Sequence, residues 1–330
     1  MRYARCRSES VIEFVGNRVA ILGAGAGGLA AAGVLICKGH EVHVYDKLPE
    51  PGGMLIFAIP EFRIPKAGVR AGIEELRQLG VKFHQNVEVG KDIPLAKLKE
   101  EYDAVIVATG TWKSRRLGIP GEDLPNVYDA LEWIFHFMMY KLGYEKTPPP
   151  PLDGKVGVIG AGLTAADICE LAVKEYGAEV YILYRRSKEI SPARHMISEL
   201  EKMGVKFVGF IRPLEILGEK KAEQIKLIKV TPTKSRKEPV HDIPGTEFTM
   251  SFDNIVVAIG LYATPPESIQ SLGIETYRNG AIKVDEHFMT NVKGVFAAGD
   301  VQHGPSNIGM ALKSGKDAAK YVDMYLHGLL

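Results

Sequence analysis

The stretch Val19-Ala20-Ile21-Leu22-Gly23-Ala24-Gly25-Ala26-Gly27-Gly28 joins an apolar run to glycines spaced as G-x-G-x-x-G. The apolar run is long enough for a buried parallel strand, and a helix-forming segment continues from Leu29 to Lys38. A second strand is predicted from Glu41 to Tyr45, and it ends at the acidic residue Asp46. Strand, glycine turn, helix, strand and acid follow one another as in a dinucleotide-binding βαβ unit.

Each part of this pattern has a physical purpose. Gly23 allows a tight turn, Gly25 lets the backbone approach a pyrophosphate, and Gly28 lets the helix pack closely on the strand. The exposed amides and the dipole at the start of the helix bind phosphate charge. Asp46 accepts hydrogen bonds from ribose hydroxyls. The alternative is a structural glycine turn in an α/β domain that binds no nucleotide.

The same pattern occurs again in the second half of the chain. A strand predicted from Val156 to Ile159 runs into Gly160-Ala161-Gly162-Leu163-Thr164-Ala165, with alanine in place of the third glycine, and a helix follows. The next strand is predicted from Glu179 to Tyr184. Each copy closes with a buried strand that ends in small residues, 104–110 in the first and 254–260 in the second. Two such units predict two nucleotides bound by one chain.

The two copies differ at the end of their second strand. Tyr184 stands where the first copy has Asp46, and Arg185 and Arg186 follow it. An acid would repel the 2′-phosphate of NADP(H), whereas guanidinium groups pair well with phosphate and stack on adenine. The second unit is therefore predicted to prefer NADP(H) over NAD(H). The alternative is that both arginines are simply solvated.

Composition and charge narrow the class of protein. The 330 residues are 46% hydrophobic and 25% charged, which is typical of soluble domains, and their number is enough for two. The net charge of +1 predicts neither a nucleic-acid-binding face nor a polybasic membrane anchor. The N-terminal residues contain no apolar signal-peptide core, and no apolar run is long enough to span a bilayer. A cytoplasmic location is predicted.

The three cysteines, Cys6, Cys37 and Cys169, lie far apart in the sequence. This spacing argues against a C-x-x-C pair and against a cysteine-rich zinc or iron–sulfur site, and no metal site is predicted. Cys37 and Cys169 fall in helical patterns and are predicted to be packing residues. The odd number of cysteines is typical of a reducing compartment.

The pattern also predicts a loop rich in proline and glycine over Lys47–Leu55 and a strand over Val81–Val89. A bulky apolar helix is predicted over Val127–Leu142, for packing or a protein contact, and the prolines 148–151 are predicted to mark a domain border. Near the C-terminus, a strand that ends in Gly299-Asp300 is predicted before a helix over Ile308–Tyr325.

Together these blocks resemble the flavoproteins with two dinucleotide-binding domains, and within them the glutamate synthase small-subunit group. The resemblance covers about residues 15–325. Besides the glycine patterns it is carried by 45–55, Ile59-Pro60 with Arg63, Val107-Ala108-Thr109-Gly110, Tyr184-Arg185-Arg186, Pro192-Ala193-Arg194 and 295–300. It implies an α/β fold with two Rossmann-like three-layer domains on parallel sheets, the second inserted in the first.

The resemblance also implies domain limits and site residues. An FAD-binding domain would span 15–149 and 265–330, an NAD(P)H-binding domain 150–264, and an N-terminal extension 1–14, which packs along the domain or contacts another chain. The cofactor contacts implied for the first unit and the tail are Gly23, Gly25, Ala26, Gly27, Gly28, Asp46, Lys47, Gly53, Met54, Leu55, Arg63, Val89, Ala108, Thr109, Gly110, Gly299, Asp300, Asn307 and Ile308. Those implied for the second unit are Gly160, Gly162, Leu163, Thr164, Ala165, Arg185, Arg186, Ala258 and Gly260.

The implied activity is that of an FAD-dependent NAD(P)H oxidoreductase, in which electrons from NADPH reach a partner subunit or carrier protein through FAD. The chain departs from its group in having no cysteine-rich N-terminal region, and from thioredoxin reductases in having no C-x-x-C. No catalytic side chain is predicted, because the flavin supplies the reactive chemistry. The alternatives are a self-contained reductase of a small molecule or quinone, and a non-catalytic nucleotide-binding subunit. Oligomerisation is left open.

Overall fold

The computed structural model describes residues 1–6 and 13–330. The chain divides by its internal packing into two units. Unit 1 comprises Met1–Lys113 and Leu261–Leu330, and unit 2, Ser114–Gly260, is inserted between these two parts. No helix among the described residues is long and apolar enough to cross a bilayer.

The strands are, in chain order, β1 (Arg18–Leu22), β2 (Glu41–Asp46), β3 (Lys82–Gln85), β4 (Ala104–Val107), β5 (Lys113–Ser114), β6 (Val127–Asp129), β7 (Lys155–Ile159), β8 (Glu179–Leu183), β9 (Lys206–Val208), β10 (Ile211–Leu217), β11 (Gln224–Lys229), β12 (Phe248–Ser251), β13 (Asn254–Val257), β14 (Leu261–Tyr262) and β15 (Val295–Ala297). The α-helices are α1 (Ala26–Ile36), α2 (Met54–Phe57), α3 (Lys66–Gln78), α4 (Leu95–Glu101), α5 (Ala130–Lys141), α6 (Leu163–Tyr176), α7 (Arg194–Lys202), α8 (Asp300–His303) and α9 (Ile308–Leu326).

A five-stranded parallel sheet in the order β15-β4-β1-β2-β3 forms the centre of unit 1. Its central strands are apolar on both faces: every residue of β4 is buried, as are Val19 to Leu22 of β1. Such strands need cover on both faces, which crossover helices provide. Because all the strands run in one direction, the glycine turn, Asp46 and Gly299 lie at the same edge of the sheet.

Unit 2 repeats this design in a parallel sheet of order β6-β13-β7-β8-β9. Strands β7, β8 and β13 correspond to β1, β2 and β4, so the predicted repeat is confirmed. The two sheets differ in one edge strand. The edge strand beside β4 is β15, the last strand of its sheet along the chain, whereas the edge strand beside β13 is β6, the first strand of its sheet. Unit 2 also contains a three-stranded antiparallel sheet, β10-β11-β12, between β9 and β13.

The structure places the border between the units earlier than the predicted one at residue 150. Residues 114–149 group with unit 2, and the chain returns to unit 1 at Leu261 rather than at residue 265. The start of the segment predicted as a helix is a strand, since Val127 to Asp129 pair with Ile255 to Val257. In α5, Trp133 Nε1 donates a hydrogen bond to Pro150 O at 2.8 Å. Pro150 therefore joins the proline run to α5 within unit 2.

Two shorter predictions also need correction. The strand predicted over Val81–Val89 is limited to β3, because Asn86 follows it with φ at +58°, a conformation that extended chains do not adopt. The loop predicted over Lys47–Leu55 ends earlier, because Met54 begins the short helix α2.

The C-terminal helix α9 completes unit 1 by packing on α1. A Cβ atom added to Gly315 would lie 2.0 Å from Gly27 O, so only glycine permits this approach. Gly299 N also donates a hydrogen bond to Ser314 Oγ at 2.8 Å, which joins the end of β15 to α9. The tail of the chain therefore belongs to the first nucleotide unit.

The first residues of the chain pack between α1 and α3. Tyr3 is only 2% exposed. A Cβ atom on Gly33 of α1 would lie 2.3 Å from Tyr3 O, and one on Gly72 of α3 would lie 1.9 Å from Met1 O. Residues 1–4 therefore pack along the domain, which is one of the two alternatives predicted for the N-terminal extension. Residues 7–12 lie outside the described part of the chain.

Cys6 and Cys37 form a disulfide, with their Cα atoms 5.6 Å apart. The prediction that Cys37 is a packing residue is therefore wrong, because the sequence does not show that the N-terminal segment returns to the end of α1. Cys169 is buried and free, and burial raises the pKa of its thiol, which fits the predicted packing role. With two cysteines paired, their odd number no longer indicates a reducing compartment.

We expect this disulfide to stabilise unit 1. It joins residues 31 positions apart, and the chain-entropy model gives about 3–4 kcal/mol for a loop of that length. Cys6→Ser should lower the midpoint of thermal unfolding, and a reductant should lower the wild-type midpoint but not that of the variant. Calorimetry with and without reductant measures both effects. Titration of the denatured, unreduced protein should find one free thiol, and three free thiols would contradict the pairing.

Candidate nucleotide-binding sites

The glycine turn of unit 1 has no room for side chains at two positions. Gly23 has φ at +101°, and a Cβ atom on it would lie 2.4 Å from Ala108 O. A Cβ atom on Gly28 would lie 1.9 Å from Gly23 O. Ala108 N donates a hydrogen bond to Leu22 O at 2.7 Å, so the end of β4 holds the turn in place.

Gly25 faces open space instead. Nothing lies within 4 Å of a Cβ atom placed on it, and its backbone is extended, with φ −78° and ψ −172°. It immediately precedes α1, which no described side chain caps and whose first turn contains no acid. The uncapped amides at Ala26 and Gly27 and the space above Gly25 therefore fit a pyrophosphate.

Asp46, at the end of β2, is held beside this turn. It is 8% exposed; its Oδ2 accepts a hydrogen bond from Ala24 N at 2.6 Å, and its Oδ1 accepts one from Leu48 N at 2.8 Å. Burial raises the pKa of this carboxyl group, and the two amide contacts oppose that rise. Each oxygen keeps a second lone pair, so the carboxylate fits the predicted contact with ribose hydroxyls.

The segment after β2 returns to the glycine turn. Gly52 N donates a hydrogen bond to Ala24 O at 2.8 Å. Gly53, with φ at +52°, approaches so closely that its Cβ position lies 2.9 Å from Gly25 Cα. Met54 then begins α2. The structure thus places the segment around Gly53, which was predicted to contact the cofactor, beside the glycine turn.

A buried lysine that is not among the residues predicted from the sequence supports the same segment. Lys66 is 2% exposed, and its Nζ donates hydrogen bonds to Leu55 O, at 2.6 Å, and to Ile59 O. A buried ammonium group needs such partners, because burying an unpaired charge is costly. Nothing in the sequence distinguishes Lys66 from an ordinary lysine in the first turn of a surface helix. Arg63 is half-buried in the turn before α3, and its cofactor contact stays a prediction.

Two other predicted residues have partners away from the turn. Lys47 is exposed and forms an ion pair with Glu88 at 3.3 Å. Val89 is 9% exposed, belongs to a hydrophobic cluster with Leu95 and Val107, and forms an isolated β-bridge with Ile93. Their cofactor contacts stay predictions.

The ends of β4 and β15 complete the edge of the sheet. Thr109 Oγ1 donates a hydrogen bond to Thr264 O at 2.8 Å, and Gly110 O accepts one from Thr264 Oγ1 at 3.1 Å. Gly299 has φ at +71°, and its Cβ position lies 3.7 Å from Gly27 Cα. The small residues after each strand therefore let the backbone segments approach one another.

Asp300 and Asn307 organise the start of α9. Asp300 Oδ1 accepts a hydrogen bond from Ser306 Oγ at 2.7 Å. Asn307 Oδ1 accepts one from Met310 N at 3.0 Å, which makes Asn307 the N-cap of the helix that starts at Ile308. Both predicted side chains thus have structural partners, and their contacts with a cofactor stay predictions.

The glycine turn of unit 2 has the same geometry. Gly160 has φ at +123°, and a Cβ atom on it would lie 2.2 Å from Ala258 O. Gly162 is extended, with φ −86° and ψ −176°, and nothing lies within 4 Å of its Cβ position. No described side chain caps α6, whose first turn is formed by Leu163, Thr164 and Ala165. Unit 2 therefore contains a second open space that fits phosphate groups.

Two further contacts shape this second turn. Ser191 is 5% exposed; its Oγ donates a hydrogen bond to Ala161 O at 2.5 Å and accepts one from Ala193 N at 3.0 Å. Ser191 is not among the residues predicted from the sequence, although it directly precedes the Pro-Ala-Arg block of the resemblance. Gly260 has φ at +107°, and its O accepts a hydrogen bond from Arg115 N at 2.9 Å.

The two arginines after β8 have different surroundings. Arg186 is 5% exposed, and its guanidinium donates hydrogen bonds to the carbonyl oxygens of Ser235, Arg236 and Glu238 at 3.4, 3.0 and 2.6 Å. Nε and Nη2 of this guanidinium therefore donate to backbone, and the pairing of Arg186 with a 2′-phosphate stays a prediction. Arg185 is exposed, and partial desolvation and the charges of Arg186 and Arg236 lower the pKa of its guanidinium. The contact of Arg185 with a 2′-phosphate stays a prediction.

Comparisons with known proteins agree with this geometry. Residues 17–315 match the family described as Pyridine nucleotide-disulphide oxidoreductase. The chain is 34% identical over 328 residues to the glutamate synthase [NADPH] small chain of Halomonas elongata, covering 96% of this chain and 70% of that protein. It is 36% identical over 319 residues to the NADP(+)-dependent formate dehydrogenase subunit beta of Moorella thermoacetica, covering 94% of this chain and 44% of that protein.

Two solved structures show the same fold. FprA of Mycobacterium tuberculosis in complex with NADPH has a TM-score of 0.80 at 20% identity, over 94% of this chain and 85% of that chain. Thioredoxin reductase of T. acidophilum has a TM-score of 0.69 at 23% identity, over 94% of this chain and 98% of that chain.

The family match includes both glycine turns and the start of α9. It confirms the predicted class of enzyme, an FAD-dependent NAD(P)H oxidoreductase, and the two predicted nucleotide cofactors. The chain belongs to the pyridine nucleotide-disulphide oxidoreductase family, with glutamate synthase small chains among its relatives.

Proposed function

We propose that this enzyme takes electrons from NADPH into FAD and delivers them to a partner subunit or carrier protein. The observation that carries the proposal is the pair of matching glycine turns, each with open space over its second glycine, Gly25 or Gly162, before an uncapped helix. The second strand of unit 1 ends in an acid, whereas that of unit 2 is followed by Arg185. Two sites with different residues at the place expected to contact the ribose suit two different dinucleotides.

Unit 1 would hold FAD. The amides at the start of α1 would bind its pyrophosphate, Asp46 its adenosine ribose, and Asp300 its ribityl or pyrophosphate part. When bound, FAD accepts a hydride and passes electrons on, while the protein supplies binding and orientation. Lys66 holds the backbone of Leu55 and Ile59, so it would keep this segment in place beside the flavin.

Unit 2 would hold NADPH. The amides at the start of α6 would bind its pyrophosphate, and Ser191 keeps the carbonyl of Ala161 in a fixed position in the same turn. Arg185 would pair with the 2′-phosphate, because a guanidinium forms charge-assisted hydrogen bonds with phosphate oxygens.

A separate protein is proposed as the electron acceptor. Two relatives are by name parts of larger enzymes, a small chain and a subunit beta. The cysteines offer no dithiol beside the glycine turn, because Cys169 is buried and Cys37 follows the far end of α1. The 11 residues of that helix span roughly 16 Å.

The direct test is an anaerobic titration of the purified protein. It should be yellow, and NADPH should bleach the flavin absorbance at one equivalent per flavin, because each nucleotide delivers one hydride. A folded protein that retains no flavin, or whose flavin is reduced by neither NADPH nor NADH, would overturn the proposal. Turnover with a quinone but with no protein carrier would favour the self-contained reductase.

Substitutions in the two turns should have reciprocal effects. Gly25→Val should abolish FAD retention and Gly162→Val should abolish NADPH binding, because each places a branched side chain where a pyrophosphate is proposed to lie. Both positions are extended and open, so the fold accommodates valine. Flavin content after gel filtration and calorimetric titration with NADP⁺ measure the two effects, and each variant is the control for the other. Full flavin content in folded Gly25→Val protein would contradict the FAD assignment.

Arg185→Ala should weaken NADPH binding selectively. A charge-assisted hydrogen bond contributes about 1.5–3 kcal/mol, and exposure of Arg185 favours the lower end of that range. At about 1.4 kcal/mol per factor of ten, the Kd for NADPH should rise roughly tenfold. The Kd for NADH should barely change, because NADH lacks the phosphate. Lys202→Ala, which removes an exposed lysine paired with Glu199, is the control, and equal losses for both nucleotides would contradict the assignment.

A further inference from the structure

Residues 231–247, between β11 and β12, contain Lys234, Arg236 and Lys237 together with three acidic residues. This segment is called the basic loop here after its first three charged residues, and it is closed at its base. Thr231 N donates a hydrogen bond to His241 O at 2.8 Å. Arg212 Nε donates one to Asp242 Oδ1 at 2.5 Å, and Arg212 Nη2 contacts the second oxygen of the same carboxylate. These contacts join the two ends of the loop.

The middle of the basic loop is held by Arg186. Three carbonyl oxygens of the loop accept hydrogen bonds from this buried guanidinium. Within the loop, Lys234 N also donates a hydrogen bond to Glu238 Oε2 at 2.9 Å. A buried cation needs several acceptors to offset its lost hydration, so the backbone around Arg236 is fixed beside the end of β8.

This arrangement concentrates unpaired positive charge. Arg236 is exposed and close enough to Arg185 for its charge to help lower the pKa of that guanidinium. No described carboxylate forms an ion pair with either residue. Other basic residues of unit 2 do have such partners, for example Lys188 with Glu201 and Lys206 with Glu179. Two neighbouring guanidinium groups repel each other, and a bound anion would relieve the repulsion.

We propose that Arg236 is a second residue that binds the 2′-phosphate of NADPH, and that Arg186 positions it by holding the basic loop beside β8. The proposal rests on the NADPH site proposed for unit 2. Arg185 approaches the phosphate from the end of the strand, and Arg236 approaches it from the loop. NAD(H), which lacks the phosphate, would leave both guanidinium groups unpaired, so the pair discriminates between the nucleotides.

The test measures dissociation constants of the FAD-loaded protein for NADP⁺, NAD⁺, 2′,5′-ADP and 5′-AMP. Arg236→Ala should raise the Kd of NADP⁺ and 2′,5′-ADP roughly tenfold, with no matching rise for NAD⁺ and 5′-AMP. Lys237→Ala, which removes the adjacent exposed charge, is the matched control and should leave the ratio between the nucleotides unchanged. Unchanged NADP⁺ binding by Arg236→Ala, together with weakened binding by Arg185→Ala, would overturn this inference but keep the NADPH site. A wild-type protein without preference for NADP⁺ would overturn both.

Arg186 is tested by a double-mutant cycle. If it acts through Arg236, Arg186→Met should weaken NADP⁺ binding, and Arg186→Met combined with Arg236→Ala should bind no more weakly than the weaker single variant. Arg186→Lys should retain part of the preference, because an ammonium group still donates to some of the three carbonyls. Additive losses, or equal losses for NAD⁺ and NADP⁺, would overturn the positioning role.

Discussion

Each nucleotide unit depends on one close contact, between the first glycine of its turn and the carbonyl that ends the neighbouring strand. Gly23 lies against Ala108 O, and Gly160 lies against Ala258 O, at distances that exclude a side chain. The contact fixes where the following helix starts. It thereby leaves the second glycine of each turn, Gly25 or Gly162, facing open space. The binding surfaces are thus backbone surfaces, shaped by the absence of side chains.

What distinguishes the two sites is charge at the end of the second strand. In unit 1, Asp46 is buried and held by two backbone amides, so it offers a fixed acceptor for ribose hydroxyls. In unit 2, the same strand position leads to an exposed arginine and a buried one. The buried Arg186 donates to three backbone carbonyls whereas Arg185 stays exposed, so the two adjacent arginines have different surroundings.

Unit 1 is assembled around α1 from distant parts of the chain. The N-terminal segment fits against Gly33, and the C-terminal helix α9 fits against Gly27 through Gly315. The disulfide from Cys6 to Cys37 then joins the N-terminal segment to the end of α1. The segment that contains Leu55 and Ile59 is fixed in a different way, because the buried Lys66 donates hydrogen bonds to both of these carbonyl groups. Unit 1 is therefore held together by close backbone packing, a disulfide and a buried cation.

The sequence by itself determined the two βαβ units, the glycine turns, the acid at Asp46 and the different ending at Tyr184-Arg185, because these features depend on residues close together in the chain. The resemblance to flavoproteins with two dinucleotide-binding domains also implied that the last strand and helix return to the first unit. Only the tertiary structure decided that Val127 to Asp129 form an edge strand, that Cys6 meets Cys37, and that Lys66 and Ser191 support the turns. It also decided that Arg186 holds the basic loop. Each of these depends on a partner distant in the chain, and a partner chosen by packing leaves no periodic or local signal.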